Sequence, residues 1–143
     1  MSKHVGKSTN YDGYVVITEH FDLANPVTKV DDIPDYEMYS QTIDSLNRRF
    51  GNRVLKGIEI GCIASEKDRI IDYLADKDYD LKLLSVHHNG QYDYLDDEVK
   101  DMDPAIVIPQ YFTQLSEALV VIEADVFAHF DYGFRVFGLS VAE

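Results

Sequence analysis

Short apolar runs alternate along the chain with longer stretches in which apolar residues recur every three or four positions. The runs cover residues 14–18, 54–60, 81–86 and 125–128 and are mostly β-branched or aliphatic, which predicts buried strands. The stretches between them predict three helices, through Tyr36, Tyr39, Ile43, Leu46 and Phe50, through Ile70, Ile71 and Leu74, and through Ile108, Phe112, Leu115, Leu119 and Ile122. Strands that alternate with helices form parallel sheets with right-handed crossovers, so the pattern predicts an α/β fold.

Polar and glycine residues mark where these helices begin and end. Gly51 follows the first apolar stripe and predicts a helix end in the left-handed conformation. Ser65 and Asp68 resemble a capping box in front of the second helix. Asp103 followed by Pro104 predicts the start of the third helix, with Asp103 as the N-cap.

Composition narrows the class of protein. The 143 residues are 45% hydrophobic, enough for one domain with a core, and 26 acidic residues against 13 basic ones give a net charge of −13. This charge disfavours a nucleic-acid partner, whereas a small phosphorylated metabolite stays compatible, since bound cations reverse the charge locally. Cys62 is the lone cysteine and no apolar stretch reaches membrane-spanning length. We therefore expect a cytoplasmic chain without a membrane partner, with a polar leader at 1–10 and one domain at 11–143.

Ionisable residues fall where the predicted strands end. His20 follows the first strand, Glu59 lies near the end of the second, His87 ends the third, and His129 and Asp131 end the fourth. Because the carboxyl ends of parallel strands meet on one side of the fold, these side chains are expected to converge. Imidazole and carboxylate together suit Zn, Mn or Fe. The sequence therefore predicts a metal site at this edge.

Each of these residues also has a plainer interpretation. A single histidine at a strand end is more often hydrogen-bonded for structural reasons, and a carboxylate such as Glu59 can cap a turn. His88 is as compatible with an exposed loop as with a functional role. Three of five histidines nevertheless fall at three different strand ends, and this joint placement favours the metal site.

Four short motifs lie in order between residues 14 and 136. They are Thr18-Glu19-His20, Gly57-Ile58-Glu59, Ser85-Val86-His87, and His129-Phe130-Asp131 followed by Arg135. They resemble, in the same order, the motifs of the PHP family of metallophosphoesterases, in which the first motif is Thr-Asp-His and the fourth takes this form in histidinol-phosphate phosphatases. The resemblance implies a distorted (β/α) barrel of seven strands that holds two or three divalent ions (Zn, Mn or Fe). This chain would supply about four parallel βα units of it.

The resemblance also implies roles for individual residues. It makes His20, Glu59, His87 and His129 metal ligands, whereas Asp131 orients His129 or assists proton transfer. Arg135 would hold the phosphoryl group and His88 would contact the substrate, for which histidinol phosphate, an intermediate of histidine biosynthesis, is favoured. The implied reaction is hydrolysis of a phosphomonoester by a metal-activated water.

Two family motifs are missing from the sequence. No His-x-His pair precedes Tyr14, and no Asp-x-His follows His129 before Glu143. We therefore expect an internal fragment or a shortened relative with open strand edges, which a homo-oligomer would cover. Three alternatives stay open. They are another PHP activity (phosphotyrosine phosphatase or exonuclease), a truncated PHP domain without catalysis, and an α/β domain whose histidines only make hydrogen bonds.

Overall fold

Four parallel strands form a single sheet in the computed structural model, which describes residues 13–138. The strands are β1 (Val15–Asp22), β2 (Val54–Gly61), β3 (Leu81–Ser85) and β4 (Val126–Phe127). They lie side by side in chain order and every neighbouring pair is parallel. The predicted alternation of strands and helices in an α/β fold is therefore confirmed. The predicted leader at 1–10 lies outside the described residues.

Three α-helices connect the strands. They are α1 (Tyr36–Phe50), α2 (Lys67–Leu74) and α3 (Pro104–Val121). Three 3-10 segments add to them, at Ala64–Glu66, Asp97–Asp101 and Tyr132–Phe137. None of the helices within residues 13–138 is long and apolar enough to cross a membrane.

Two of the three predicted helix ends are confirmed. Gly51 ends α1 with a φ of 73°, a left-handed conformation in which glycine has no steric penalty. The Asp103 carboxylate accepts a hydrogen bond from the Ala105 amide at 2.9 Å and caps α3. The capping box at Ser65 and Asp68 is wrong, because the chain first makes a 3-10 turn and α2 begins only at Lys67, without a side-chain cap.

The main core lies between the helices and one face of the sheet. Its members include Ile58 and Ile60 of β2 and Leu84 of β3, all fully buried, packed in one cluster with residues of α1, α2 and α3. The buried side of α3 differs from the predicted stripe, since Phe112 and Leu119 are exposed and the core residues are Val107, Tyr111, Leu115 and Ala118. The outer flank of α3 is itself apolar, so periodicity alone could not identify the side that faces the core.

β1 is longer than its apolar run predicts. It continues past Thr18 to Asp22, so His20 lies within the strand and pairs in register with Glu59 of β2. The polar residues at this end face a cavity and not the core, and a search for apolar runs therefore stops too early. The longer strand places His20 directly beside Glu59.

Candidate metal centre

Glu59, His87 and His129 converge at the carboxyl end of the sheet. His129 Nε2 lies 2.7 Å from Glu59 Oε1, and His87 Nε2 lies 3.1 Å from the same oxygen. One ligand atom from each of the three residues falls within 4.8 Å of the others. Ligands around a single zinc ion at about 2.0–2.1 Å are themselves roughly 3–4 Å apart. Two imidazoles and a carboxylate at this spacing fit one divalent transition-metal ion.

His20 lies next to this group with looser contacts. Its Nε2 is 3.4 Å from Glu59 Oε2 and its Nδ1 is 3.7 Å from Asp22 Oδ2. Its ring stacks on that of His87 with the centroids 5.8 Å apart. The structure thus brings His20 to the same cluster, on the solvent side of the three more tightly grouped residues.

Asp22 belongs to the cluster although the sequence did not single it out. His87 Nδ1 donates to Asp22 Oδ1 at 2.8 Å, and both side chains are buried. A β-carbon on Gly61 would stand 1.7 Å from that oxygen, so a side chain at this position would expel Asp22. Period-2 alternation from His20 places Asp22 on the same face of β1, which is the signal that could have found it.

The backbone of His129 is strained. Its φ of 28° lies in the left-handed region, which residues other than glycine rarely adopt at a cost of about 1–3 kcal/mol. The residue comes two positions after the end of the short strand β4, and its ring reaches Glu59 from there. Its Nδ1 is buried and has no hydrogen-bond partner among residues 13–138. Such strain is typical of functional positions, where the surrounding structure holds a side chain in place.

The histidines and carboxylates strongly perturb one another. Hydrogen bonding with His87 is the main cause that lowers the pKa of Glu59 to about 2, although burial acts against it. Burial lowers the pKa of His87, but its bonds to Asp22 and Glu59 outweigh this and raise the pKa to about 9. Burial of the Asp22 carboxyl raises its pKa, but the hydrogen bonds with His20 and His87 outweigh burial and hold this pKa well below its usual value. At neutral pH we therefore expect the His87 ring of the metal-free protein to be protonated, with one N–H directed to each of the two carboxylates.

A cavity of about 620 Å³ opens over the cluster. Besides the ligand candidates, its lining includes Tyr132, whose ring lies 5.0 Å from that of His87 and 5.1 Å from that of His129. The Tyr132 hydroxyl donates to Asp93 at 3.1 Å. Five carboxylates and three histidines line this cavity, and no lysine or arginine is among the described lining residues. The site is thus built for cations, and an anionic substrate needs a bound metal to enter it.

The other predicted site residues lie around the cavity without lining it. Arg135 donates to Asp131 through two nitrogens, at 2.9 and 3.2 Å, and its guanidinium is 5.6 Å from the Tyr132 ring. His88 is buried, with Nε2 at 3.1 Å from the Leu23 carbonyl and Nδ1 accepting from the Gly90 amide at 3.2 Å. The roles of Asp131, Arg135 and His88 in catalysis or substrate contact stay predictions.

Comparison with known proteins finds a similar fold and no match at the level of sequence. No family model and no curated protein matches the chain. Its structure is similar to that of a histidinol phosphate phosphatase from Lactococcus lactis subsp. lactis, solved with zinc, L-histidinol and phosphate, with a TM-score of 0.81 and 22% identity. The match covers 92% of this chain and 52% of that enzyme, so the chain spans about half of the enzyme's length. The chain therefore has the fold that its motifs led us to expect.

Proposed function

We propose that this chain carries the metal centre of a phosphomonoesterase of the histidinol-phosphatase type, with histidinol phosphate as the favoured substrate. The observation that carries the proposal is the convergence of Glu59, His87 and His129 at the carboxyl ends of β2, β3 and β4. The fold similarity to an enzyme solved with zinc, L-histidinol and phosphate adds support. The motif order, with Arg135 after His129-Phe130-Asp131, is the reason for favouring histidinol phosphate as the substrate.

The protein's own residues would bind and orient the reacting groups. Glu59, His87 and His129 would hold the ion and His20 would complete its ligands. A bound divalent ion supplies positive charge to a phosphate ester and lowers the pKa of a nearby water. Asp22 fixes the His87 ring through Nδ1, as carboxylates do behind metal-bound histidines. Tyr132, packed against two of the imidazoles, limits their rotation.

Three further residues complete the proposed mechanism. Arg135 would leave its bond with Asp131 and donate to the phosphoryl oxygens, a charge-assisted interaction that fits the planar guanidinium. Asp131, freed in this way, would orient His129 or take up a proton. His88 is hydrogen-bonded to the Leu23 carbonyl and the Gly90 amide. It would therefore act on the substrate only after a small shift of the backbone around Leu23.

We expect full activity to require more of the barrel than residues 13–138 provide. Because the matched enzyme is about twice as long as the chain, we expect this chain alone to bind at most one ion, weakly, and to hydrolyse phosphoesters slowly. Phosphotyrosine is the second candidate substrate. A nucleic-acid substrate is disfavoured by the acidic cavity and the net charge of −13.

A phosphate-release assay tests the proposal. The purified chain is loaded with Zn, Mn or Fe and given histidinol phosphate, phosphotyrosine or a short oligonucleotide, with Glu59→Gln as the inactive control. We expect metal-dependent release that is fastest with histidinol phosphate and absent in the variant. Tight metal binding without release from any substrate would favour a non-catalytic metal-binding domain. No binding at all would leave the histidines with structural roles only.

A further inference from the structure

His87 and His88, which come shortly after β3, contact two consecutive residues at the point where β1 ends. His87 Nδ1 lies 2.8 Å from Asp22 Oδ1, and His88 Nε2 lies 3.1 Å from the Leu23 carbonyl oxygen. β1 and β3 are not neighbours in the sheet, because β2 lies between them. The two histidines therefore reach across the end of β2 and connect the ends of its two neighbours.

The partners of His88 determine where its ring carries a proton. A carbonyl oxygen can only accept a hydrogen bond, so Nε2 is protonated and donates to Leu23. The Gly90 amide donates to Nδ1 at 3.2 Å, so Nδ1 carries no proton. His88 is 2% exposed, and both of its ring nitrogens are used. The ring is thus a neutral donor whose orientation is fixed from two sides.

His88 is itself anchored to the helical layer. Its backbone carbonyl accepts a hydrogen bond from Gln114 Nε2 of α3 at 3.2 Å. The Tyr94 hydroxyl donates to Gln114 Oε1 and so fixes the orientation of that amide. The Leu23 carbonyl therefore has a partner that α3 holds in place.

The backbone around Asp22 is held on both sides. On one side, Asp22 exchanges two backbone hydrogen bonds with Asp32, at 2.7 and 2.9 Å. On the other side, Leu23 is buried and bound by His88 through its carbonyl. The chain then turns at Ala24, whose φ of 53° lies in the left-handed region that alanine rarely adopts. The position of the Asp22 carboxylate thus depends on the bond between His88 and Leu23.

We infer that His88 is a positioning residue of the metal centre, which holds the Asp22 carboxylate against His87 by binding the Leu23 carbonyl. The inference rests on the metal centre of the proposed function. It differs from the substrate contact proposed above, for which the bond to Leu23 has to open. Because a carboxylate behind a metal-bound histidine sets the orientation of the ring, a shift of Asp22 would displace the ligand nitrogen of His87.

Two amide variants that differ by one methylene test this role. In His88→Gln the amide nitrogen reaches about as far as Nε2 and can still donate to Leu23. In His88→Asn the amide reaches only the position of Nδ1, so it can pair with Gly90 but not with Leu23. We expect zinc affinity, measured by isothermal titration, to fall about tenfold in His88→Asn and by less than about threefold in His88→Gln.

A matched control and a double-mutant cycle separate positioning from a general loss of stability. Tyr92→Phe removes another hydrogen bond of the same loop, to Gln110, and should leave zinc affinity unchanged. If His88 acts through Asp22, His88→Asn should cost little further affinity in the Asp22→Asn background. A full additional loss in the double variant would overturn the inference. Unchanged affinity in His88→Asn, or an equal loss in His88→Gln or Tyr92→Phe, would overturn it as well.

NMR of the metal-free chain gives a readout that does not depend on the proposed function. The His87 Nδ1 proton, held by Asp22, should exchange slowly with water in the wild type and in His88→Gln, and about tenfold faster in His88→Asn. An unchanged exchange rate in His88→Asn would contradict the inference. A wild-type chain that binds no zinc would refute the proposed function alone, and the exchange rates would still decide the role of His88.

Circular dichroism shows whether the variants fold. If His88→Asn does not, the ring proton of His88 in the wild-type NMR spectrum decides. A proton on Nε2 alone supports the inference, and a proton on Nδ1 overturns it, because Nδ1 could then not accept from the Gly90 amide.

Discussion

His87 Nδ1 lies 2.8 Å from Asp22 Oδ1, and this bond determines which nitrogen of His87 faces the cavity. With Nδ1 donating to Asp22, Nε2 points to Glu59 at 3.1 Å. Once the ring is neutral, the lone pair of Nε2 is available to a metal ion. In the proposed metal centre Asp22 would thus position the ligand candidate His87, and the absent side chain of Gly61 gives Asp22 the space to do so.

We predict that Asp22→Asn weakens metal binding. An amide cannot hold the imidazole as a carboxylate does and makes Nε2 a poorer donor to the ion. Loss of such a partner typically costs about 10–100-fold in affinity. Isothermal titration with zinc measures the change. Asp32→Asn is the matched control, since its exposed carboxylate also lines the cavity and carries the same charge. Equal losses in both variants would show that only charge matters.

The stability of the metal-free protein should depend on pH through His87. Its pKa is raised from 6.5 to about 9, so its contribution is complete below pH 6.5 and is lost as the pH rises through 9. The shift corresponds to at most about 3 kcal/mol. The pKa of Glu59 is lowered from 4.5 to about 2, so its contribution is present above pH 4.5 and is lost toward pH 2. We expect the highest contribution of the cluster between these limits, at pH 4.5–6.5.

Thermal unfolding in the presence of a chelator checks this dependence. Between pH 6.5 and 9 the unfolding temperature should fall in the wild-type chain. In His87→Gln, which has no titrating ring at this place, the curve should be flatter over the same range. A parallel fall in both proteins would assign the dependence to other groups.

Metal affinity should change with pH in the opposite direction. An ion can bind Nε2 of His87 only after the ring has lost a proton, which in the metal-free protein takes place near pH 9. Affinity should therefore rise about tenfold per pH unit between pH 6.5 and 9 for the release of one proton. Titration in two buffers with different heats of ionisation counts the released protons. Binding without proton release would exclude His87 as a ligand.

The sequence predicted the elements that rest on local patterns. The strand cores, α1 with its end at Gly51 and the start of α3 at Asp103 were all found, because apolar periodicity and capping residues are local signals. The side of α3 that faces the core was not predicted. Tyr111 and Phe112 are both aromatic, and only the tertiary contacts bury Tyr111 and leave Phe112 exposed.

The candidate site was predicted in part, from the same kind of local pattern. His20, Glu59, His87 and His129 could be placed at strand ends, and parallel topology then brings them together. Asp22 was missed because the apolar run appeared to end at Thr18, although the strand continues with polar residues that face the cavity. Tyr132 was missed because its position over two histidines depends on how the segment after β4 folds back.

The last prediction concerns how phosphate is held. Arg135 is bound to Asp131 in the substrate-free protein, so a phosphoryl group must compete with that carboxylate for the guanidinium. Arg135→Ala should lower kcat/KM for phosphate esters by about 10–100-fold, the effect of losing a charge-assisted hydrogen bond, while metal content stays unchanged. Asp131→Asn should instead lower the KM, because the arginine is released, provided that Asp131 has no further role in proton transfer. A fall in kcat in that variant would separate the second role from the first. The matched control is Arg49→Ala, an arginine of α1 that packs over Phe50 and does not line the cavity. Unaltered kinetics in Arg135→Ala would limit Arg135 to its salt bridge with Asp131.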